Sequence, residues 1–368
     1  MNKIRLLYVV TKCTRCGPIN VLLSILHYLD FSKFEFYLIT TAEEEKDRSV
    51  LHLFKEKAVE YQYIPLDKKK VVFGKVKQLQ QEICRINPDV IHSTGIVPDL
   101  AVSRICPQKQ LIVSHANVYI DNTLKYGKPL GWVLAKANIY VYKRAHTTIA
   151  CSKSLSELYK KQGLSFPFIR NGINIEQKPV GNKRAIREEL GLSINSTIFV
   201  YTAAFIPRKN HEFLIRAFKE LPDKYTLLLI GDGELFDGLK RFESSNIIFA
   251  GRKENVIPYL LASDYFVSSS LQEGMPMAVL EALACGIPVL LSDIEQHKEL
   301  FEINEGIGCL YKNNSVEDLD NAVNSLLKKD YHLLSESAYN TAKIHFNAES
   351  MSEKYQVEYS EIAKQSLK

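Results

Sequence analysis

The chain has 368 residues, 46% of them hydrophobic and 24% charged, with a net charge of +5, which suits two domains of ordinary size, each with its own core. No apolar run approaches the roughly 18 residues of a membrane-spanning helix, and the short stretch Ile4 to Val10 leads into TKCTRCGP and reads as a buried first strand, not a secretory leader. Residues 1–170 hold 26 Lys and Arg against 14 Asp and Glu, whereas residues 171–368 hold 21 against 28, so a basic half that attracts phosphate-rich partners adjoins an acidic one.

Short apolar runs at Ile4–Val10, Phe36–Thr40, Val90–His92, Leu111–His115 and Thr147–Ala150 alternate with helical patterns near 18–29, 70–86, 98–105, 129–144 and 152–163. That alternation predicts parallel strands joined by crossover helices. The second half repeats it, with strands at Thr197–Ala203, Tyr225–Ile230, Ile247–Ala250, Tyr265–Val267 and Ile287–Leu291. Ala348 to Lys364 reads as a terminal amphipathic helix with Met351, Tyr355 and Tyr359 at helical spacing. The expected class is α/β, two Rossmann-like doubly wound domains.

Seven cysteines, an odd number and mostly in apolar contexts, argue for a reducing, cytoplasmic compartment. Cys13 and Cys16 form one C-x-x-C, but no second pair completes a zinc site, so they read as incidental thiols. The basic residues lack any nucleic-acid module. Two basic stretches with apolar neighbours, Lys68 to Lys77 and Lys125 to Arg144 around Trp132, suit an interfacial helix on an anionic membrane. A core helix with a solvated basic face is the other reading.

The most informative segment is Asp264 to Asp293. An apolar run, Tyr265 to Val267, enters a Ser-Gly-Pro loop; a helical pattern follows from Met277 to Cys285, Gly286 stops it, and a strand restarts at Ile287. A loop that ends at a helix start presents unpaired N–H groups and the positive dipole end to an anion. Glu273 and Glu281 bracket that place. Carboxylates beside an anion site suit hydroxyls, which points to a ligand carrying both phosphate and sugar.

The spacing E-x7-E followed by A-x-G-x-P-V resembles the signature of the retaining GT-B glycosyltransferases of the large GT4 type, group 1. The resemblance implies a GT-B fold, two Rossmann-like domains facing across a cleft, with an acceptor-binding domain at 1–172, a nucleotide-sugar domain at 173–345 and a helix at 346–368 crossing back to the first domain. It assigns Glu281 to the nucleotide ribose and Glu273 to the transferred sugar, and gives donor-binding roles to Gly274, Met275, Pro276, Met277, Ala278 and Val279. The element Phe168 to Asn174 resembles the family's strand followed by N-G-I-D, and Gln177 to Lys183 reads as the hinge.

Three more loops follow parallel strands, where α/β sheets bind ligands. Gly17 opens a helix where the family carries Gly-Gly against the donor diphosphate, which gives Gly17 a donor-binding role by resemblance, but Pro18 stands in place of the second glycine and removes one amide donor. In the loop 203–211, Lys209 fits the family's pyrophosphate lysine; Ala204 stands at the arginine position, and Arg208 takes its role. Gly231 and Gly233 line the nucleotide pocket by resemblance, and Arg252 lies in the base-contacting region. On the acceptor side, His115 and, less so, His92 end strands as the family's histidine does. The resemblance implies a UDP-sugar donor, with GDP-mannose behind it, a glycan or polyprenyl-diphosphate-linked acceptor in surface polysaccharide synthesis, peripheral membrane contact, and neither metal nor cofactor. A GT-B epimerase or phosphorylase and a non-catalytic glycan-binding partner stay open.

Overall fold

The computed structural model describes residues 3–45, 47–175 and 178–365. The chain divides into two compact units, one of Met1–Asn174 with Ala348–Lys368 and one of Ile175–Asn347. Unit 1 begins with β1 (Ile4–Val10), α1 (Gly17–His27), β2 (Phe34–Thr40), α2 (Leu51–Lys55), β3 (Glu60–Tyr63), α3 (Lys68–Val72) and α4 (Lys77–Ile86). It continues through β4 (Val90–Thr94), α5 (Ile96–Ile105), β5 (Gln110–Ser114), α6 (Val118–Tyr126), α7 (Lys128–Arg144), β6 (Thr147–Ala150) and α8 (Lys153–Lys161). Its sheet has the order β3-β2-β1-β4-β5-β6, parallel throughout.

Unit 2 runs α9 (Lys183–Glu189), β7 (Thr197–Thr202), α10 (His211–Glu220), β8 (Tyr225–Ile230), α11 (Phe236–Lys240), β9 (Ile247–Gly251), α12 (Ile257–Ala262) and β10 (Tyr265–Ser268). It closes with α13 (Met277–Ala284), β11 (Val289–Ser292), α14 (Glu295–Ile303), β12 (Gly308–Tyr311), α15 (Val316–Leu327) and α16 (Tyr331–His345). Its sheet, β12-β11-β10-β7-β8-β9, is again parallel. Strands covered on both faces read as continuous apolar runs, and β8, Tyr-Thr-Leu-Leu-Leu-Ile, is buried at every position.

The chain re-enters unit 1 through α17 (Ala348–Gln365). Met351, Tyr355 and Tyr359, its apolar stripe, are at most 2% exposed. Tyr359 Oη lies 2.7 Å from Nδ1 of the buried His92 and 3.3 Å from Tyr8 Oη, and Ser352 Oγ donates to the Ile25 carbonyl on α1 at 2.8 Å. His92 is therefore a core residue of unit 1.

Several boundaries differ from expectation. The helix expected over 70–86 is two, α3 and α4, because Gly74 takes φ +76°, which ends the first. The strand expected at Ile287 begins at Val289: the Ile287 N–H closes onto Ala282 behind Gly286 at φ +69°, and Pro288 has no N–H to give a ladder. The edge strands β3 and β12 and the helices α2 and α6 gave no readable pattern. Of the stretch read as a hinge, Gln177 lies outside the described residues. No helix among the described residues is long and apolar enough to cross a membrane.

Candidate active site

In the unit 2 sheet the order reverses at β7, which pairs with β10 on one side and β8 on the other. The loops after β7 and β10 leave in opposite directions there, at the place where an open α/β sheet receives ligands. Pro207 to Lys209 form a short 3-10 turn, and Asn210 takes φ +54°, a left-handed conformation that asparagine tolerates, before α10 starts. The β10 loop is tied to it: the Leu271 N–H donates to the Arg208 carbonyl at 2.8 Å, and Ser269 Oγ donates to the Lys209 and Asn210 carbonyls at 3.1 and 3.0 Å.

Between these loops lies an ion cluster. Lys209 Nζ forms a short ion pair with Glu273 Oε1, Arg208 Nη1 donates to Glu273 Oε2 at 3.0 Å, and Ser270 Oγ donates to Oε1 at 2.6 Å. The Glu273 side chain is 6% exposed, Lys209 15% and Arg208 26%. Burial pushes the Glu273 carboxyl upward, but the two cations and the bonds from Lys209 and Ser270 outweigh it and hold it at about 2. Two cations against one carboxylate leave a net positive charge. Each Glu273 oxygen meets one cation, and Oε1 also accepts from the Ser270 hydroxyl; a carboxylate has about four lone-pair sites, so acceptor capacity is left over.

Sequence reading missed the groups that support this cluster. Tyr201 Oη, on β7, donates to the Lys209 carbonyl at 3.1 Å and lies 2.8 Å from Ser270 Oγ. Ser292 Oγ donates to the Ser270 carbonyl at 2.8 Å, and His297 Nδ1 lies 2.8 Å from the Ser292 carbonyl. The signal was available: Ser268, Ser269 and Ser270 follow a strand end, and three hydroxyls at a buried strand end need partners. Gln272, 3% exposed, has neither amide atom hydrogen-bonded, and His297 Nε2 also lacks a partner.

Gly274, Met275 and Pro276 are buried and lead into α13, whose first turn, Met277, Ala278 and Val279, carries no acidic residue. The Val279 N–H already donates to the Pro276 carbonyl at 2.9 Å, and the N–H groups of Met277 and Ala278, ahead of it, precede the helix's own hydrogen-bond ladder. Glu281 lies just over one turn further, half-buried, and its charge and that of Lys178 act in opposite directions on the Cys285 thiol, which burial pushes up. The cluster thus unites Glu273, Arg208 and Lys209, while Glu281 stands along the helix from it.

Gly231 and Gly233 follow β8 at φ +147° and +148°. A Cβ on Gly231 would stand 2.0 Å from the Ala203 carbonyl oxygen, and one on Gly233 2.7 Å from that of Phe205. The Phe205 N–H donates to the Asp232 carbonyl at 2.8 Å. These glycines let the turn pack against the β7 loop and so hold the backbone that carries Arg208 and Lys209. Arg252, half-buried, follows β9 at the same edge. The N-terminal ends of the central strands have their own ion cluster, Asp264 with Arg187 at 2.7 Å and Lys183 at 2.8 Å, which ties α9 to the start of β10.

In unit 1, Gly17 opens α1 and a Cβ there would meet nothing within 4 Å, so packing does not demand glycine. Cys13 is buried and Cys16 exposed. His115 follows β5, half-buried, and burial lowers its imidazole to about 4, so it is neutral near pH 7.

Residues 182–344 match the family model described as glycosyl transferases group 1. The chain is 32% identical over 211 residues to UDP-Gal:alpha-D-GlcNAc-diphosphoundecaprenol alpha-1,3-galactosyltransferase of Escherichia coli, covering 52% of this chain and 53% of that protein, so it spans about half the length of that relative. It is 20% identical over 333 residues to N-acetyl-alpha-D-glucosaminyl L-malate synthase of Bacillus anthracis, covering 82% and 81%. The solved structure of Anabaena HepE in complex with UDP is similar in fold, with TM-score 0.75 at 17% identity over 97% of this chain and 100% of that one. The architecture is that of the GT-B proteins, two parallel six-stranded α/β sheets. The matched segment lies within unit 2.

Proposed function

We propose that the protein is a retaining glycosyltransferase that moves a sugar from a UDP-sugar to a glycan or polyprenyl-diphosphate-linked acceptor in surface polysaccharide synthesis. The observation that carries this reading is the Arg208–Lys209–Glu273 cluster at the switch point of the unit 2 sheet. As the bond from the anomeric carbon to the diphosphate oxygen breaks, its electron pair stays on the phosphate, and Arg208, Lys209 and the N–H groups opening α13 stabilise the growing charge. The acceptor oxygen bonds to the anomeric carbon from the face the diphosphate leaves, and its proton passes to that phosphate. Glu273 holds both cations in place and lies against the transferred sugar; Glu281 takes the ribose hydroxyls, Gly231, Gly233 and Arg252 border the nucleotide, Gly17 takes the donor-diphosphate role and the neutral His115 the acceptor-side one. The residues supply the positive charge themselves, so the reading assigns no metal and no cofactor. An acceptor of that kind places the reaction at the inner face of the cell membrane, with the basic unit 1 in peripheral contact.

The relative named for transfer onto a diphosphoundecaprenol-linked sugar supports this acceptor class. The test is release of UDP or GDP on incubation with a panel of nucleotide sugars, with and without prenyl-diphosphate-linked acceptors. Lys209→Met should lower release roughly 100-fold or more, the scale of removing one preorganised charge donor. Equal release by the variant would overturn the assignment, and conversion of donor to an epimer without transfer would replace it with the epimerase reading.

A further inference from the structure

Unit 1 contains an apolar cavity of about 150 Å³ between α3, α5, α6 and α7, lined by Val71, Ile96, Leu100, Tyr126, Leu134 and Val141 among others. It adjoins the first turn of α5, directly after β4. The surface beside it is apolar too: Phe73, next to the lining residue Val72, is 79% exposed, Leu130 52% and Val133 60%. Leu130, Leu134, Ala137 and Val141 follow one another at three- and four-residue steps on α7, one stripe of the helix. Beside that stripe runs a second, Trp132, Lys136, Tyr140 and Arg144, in which Lys136 sits 3.6 Å over the Trp132 ring and Arg144 5.7 Å over Tyr140.

Charge says what covers this surface. Residues 68–77 and 125–144 hold nine Lys and one Arg, with no Asp or Glu. The acid of the lining, Asp99, is raised to about 7 by burial and accepts a bond from Ser93 Oγ at 2.7 Å, so it opposes an anion weakly. Exposed aromatics with lysines whose stems lie along apolar surface suit the interface of an anionic amphiphile. A cavity of this size takes a ring of about six carbons, close to one five-carbon isoprene unit.

We infer that this cavity seats an isoprene unit of the acceptor's prenyl chain while the lysines of α3 and α7 meet its phosphates. The inference rests on the proposed lipid-linked acceptor. It supplies that acceptor with a site in unit 1, apart from the donor residues of unit 2. The rest of a long chain stays in the bilayer, and the apolar stripe and the aromatic–basic stripe beside it lie at the headgroup boundary.

Trp132 is the single tryptophan of the chain, so its fluorescence reads this surface alone. Titrating the full chain with geranyl diphosphate should give a saturable change that inorganic pyrophosphate does not reproduce. Ala137→Phe, made at an exposed lining position, should fill the cavity and weaken geranyl diphosphate binding about tenfold, the loss of roughly two buried methylenes. UDP release with a chain-free sugar acceptor should be unchanged by that variant. Equal responses to geranyl diphosphate and pyrophosphate, or unweakened binding by Ala137→Phe, would overturn the chain seat. A response only to phosphatidylglycerol vesicles, equal in both proteins, would reduce the patch to general membrane docking and also overturn it. Because the fluorescence titration needs no turnover, failure of transfer and failure of the chain seat are read separately.

Discussion

Glu273 is the residue on which the candidate site turns, because its carboxylate pairs with two cations that would otherwise lie together without a counter-ion. Removing one partner of a buried ion pair leaves an uncompensated charge and costs roughly 3–5 kcal/mol. Glu273→Ala should therefore lower stability by about that amount in urea unfolding, and Glu273→Gln by less, since its amide oxygen still accepts from Lys209 or Ser270. Activity lost in the alanine variant consequently mixes chemistry with folding, and Lys209→Met is the cleaner probe. The carboxyl is held at about 2, below its ordinary value of about 4.3. Its contribution is thus present above the unfolded value and is lost as pH falls through 4 toward 2, so Glu273→Gln should flatten the stability profile in that range.

At the scale of elements, the turn after β8 is a support for the turn after β7. Gly231→Ala would set a Cβ 2.0 Å from the Ala203 carbonyl oxygen at a φ that side chains avoid, and strain plus overpacking of this kind costs roughly 1–3 kcal/mol each. The expected result is a lower melting temperature together with weaker nucleotide binding in a UDP titration, because the displaced strand end carries Arg208 and Lys209. Normal stability and normal UDP affinity would remove the turn from the support of the site. Elements also mark where sequence patterns were readable. The long buried strands β1 and β8 follow directly from their apolar runs, whereas β3, Glu-Tyr-Gln-Tyr, is a half-buried edge strand with no apolar run. A four-residue edge strand is specified by its neighbour's unpaired backbone more than by its own side chains.

At the scale of the whole molecule, four histidines are held neutral, two in each unit: His92, His211 and His297 are buried and His115 is half-buried. Burial lowers His92 and His211 to about 3 and His115 and His297 to about 4, below the ordinary value of about 6.5. For a depressed histidine the unfolded chain binds the extra proton, so stability is full above about pH 6.5 and falls as pH drops toward 4, by up to about 1.4 kcal/mol per pH unit for each group. Urea midpoints measured at pH 7 and pH 5 should show a marked fall at the lower pH in both units. A midpoint unchanged between the two would mean that these imidazoles titrate as if exposed.

The candidate site was legible in part. Glu273 and Lys209 were each visible as a charged residue at the end of a strand, next to a helix start, because strand runs and helix start signals are local patterns of side chains. Their pairing was not visible, since they lie 64 residues apart and meet because β10 lies parallel to β7. The same holds for His92, which the sequence shows as a strand residue and which only the docking of α17 turns into a core group bonded to Tyr359, 267 positions away. The order of strands and helices, the α/β class and the strand ends that carry charge were therefore determined by sequence alone, through periodicity acting over a few residues. Which charge neutralises which, which glycines are forced by a neighbouring backbone and which histidines are shut from water were decided by tertiary structure, because those depend on distances that only parallel strand pairing and helix docking create.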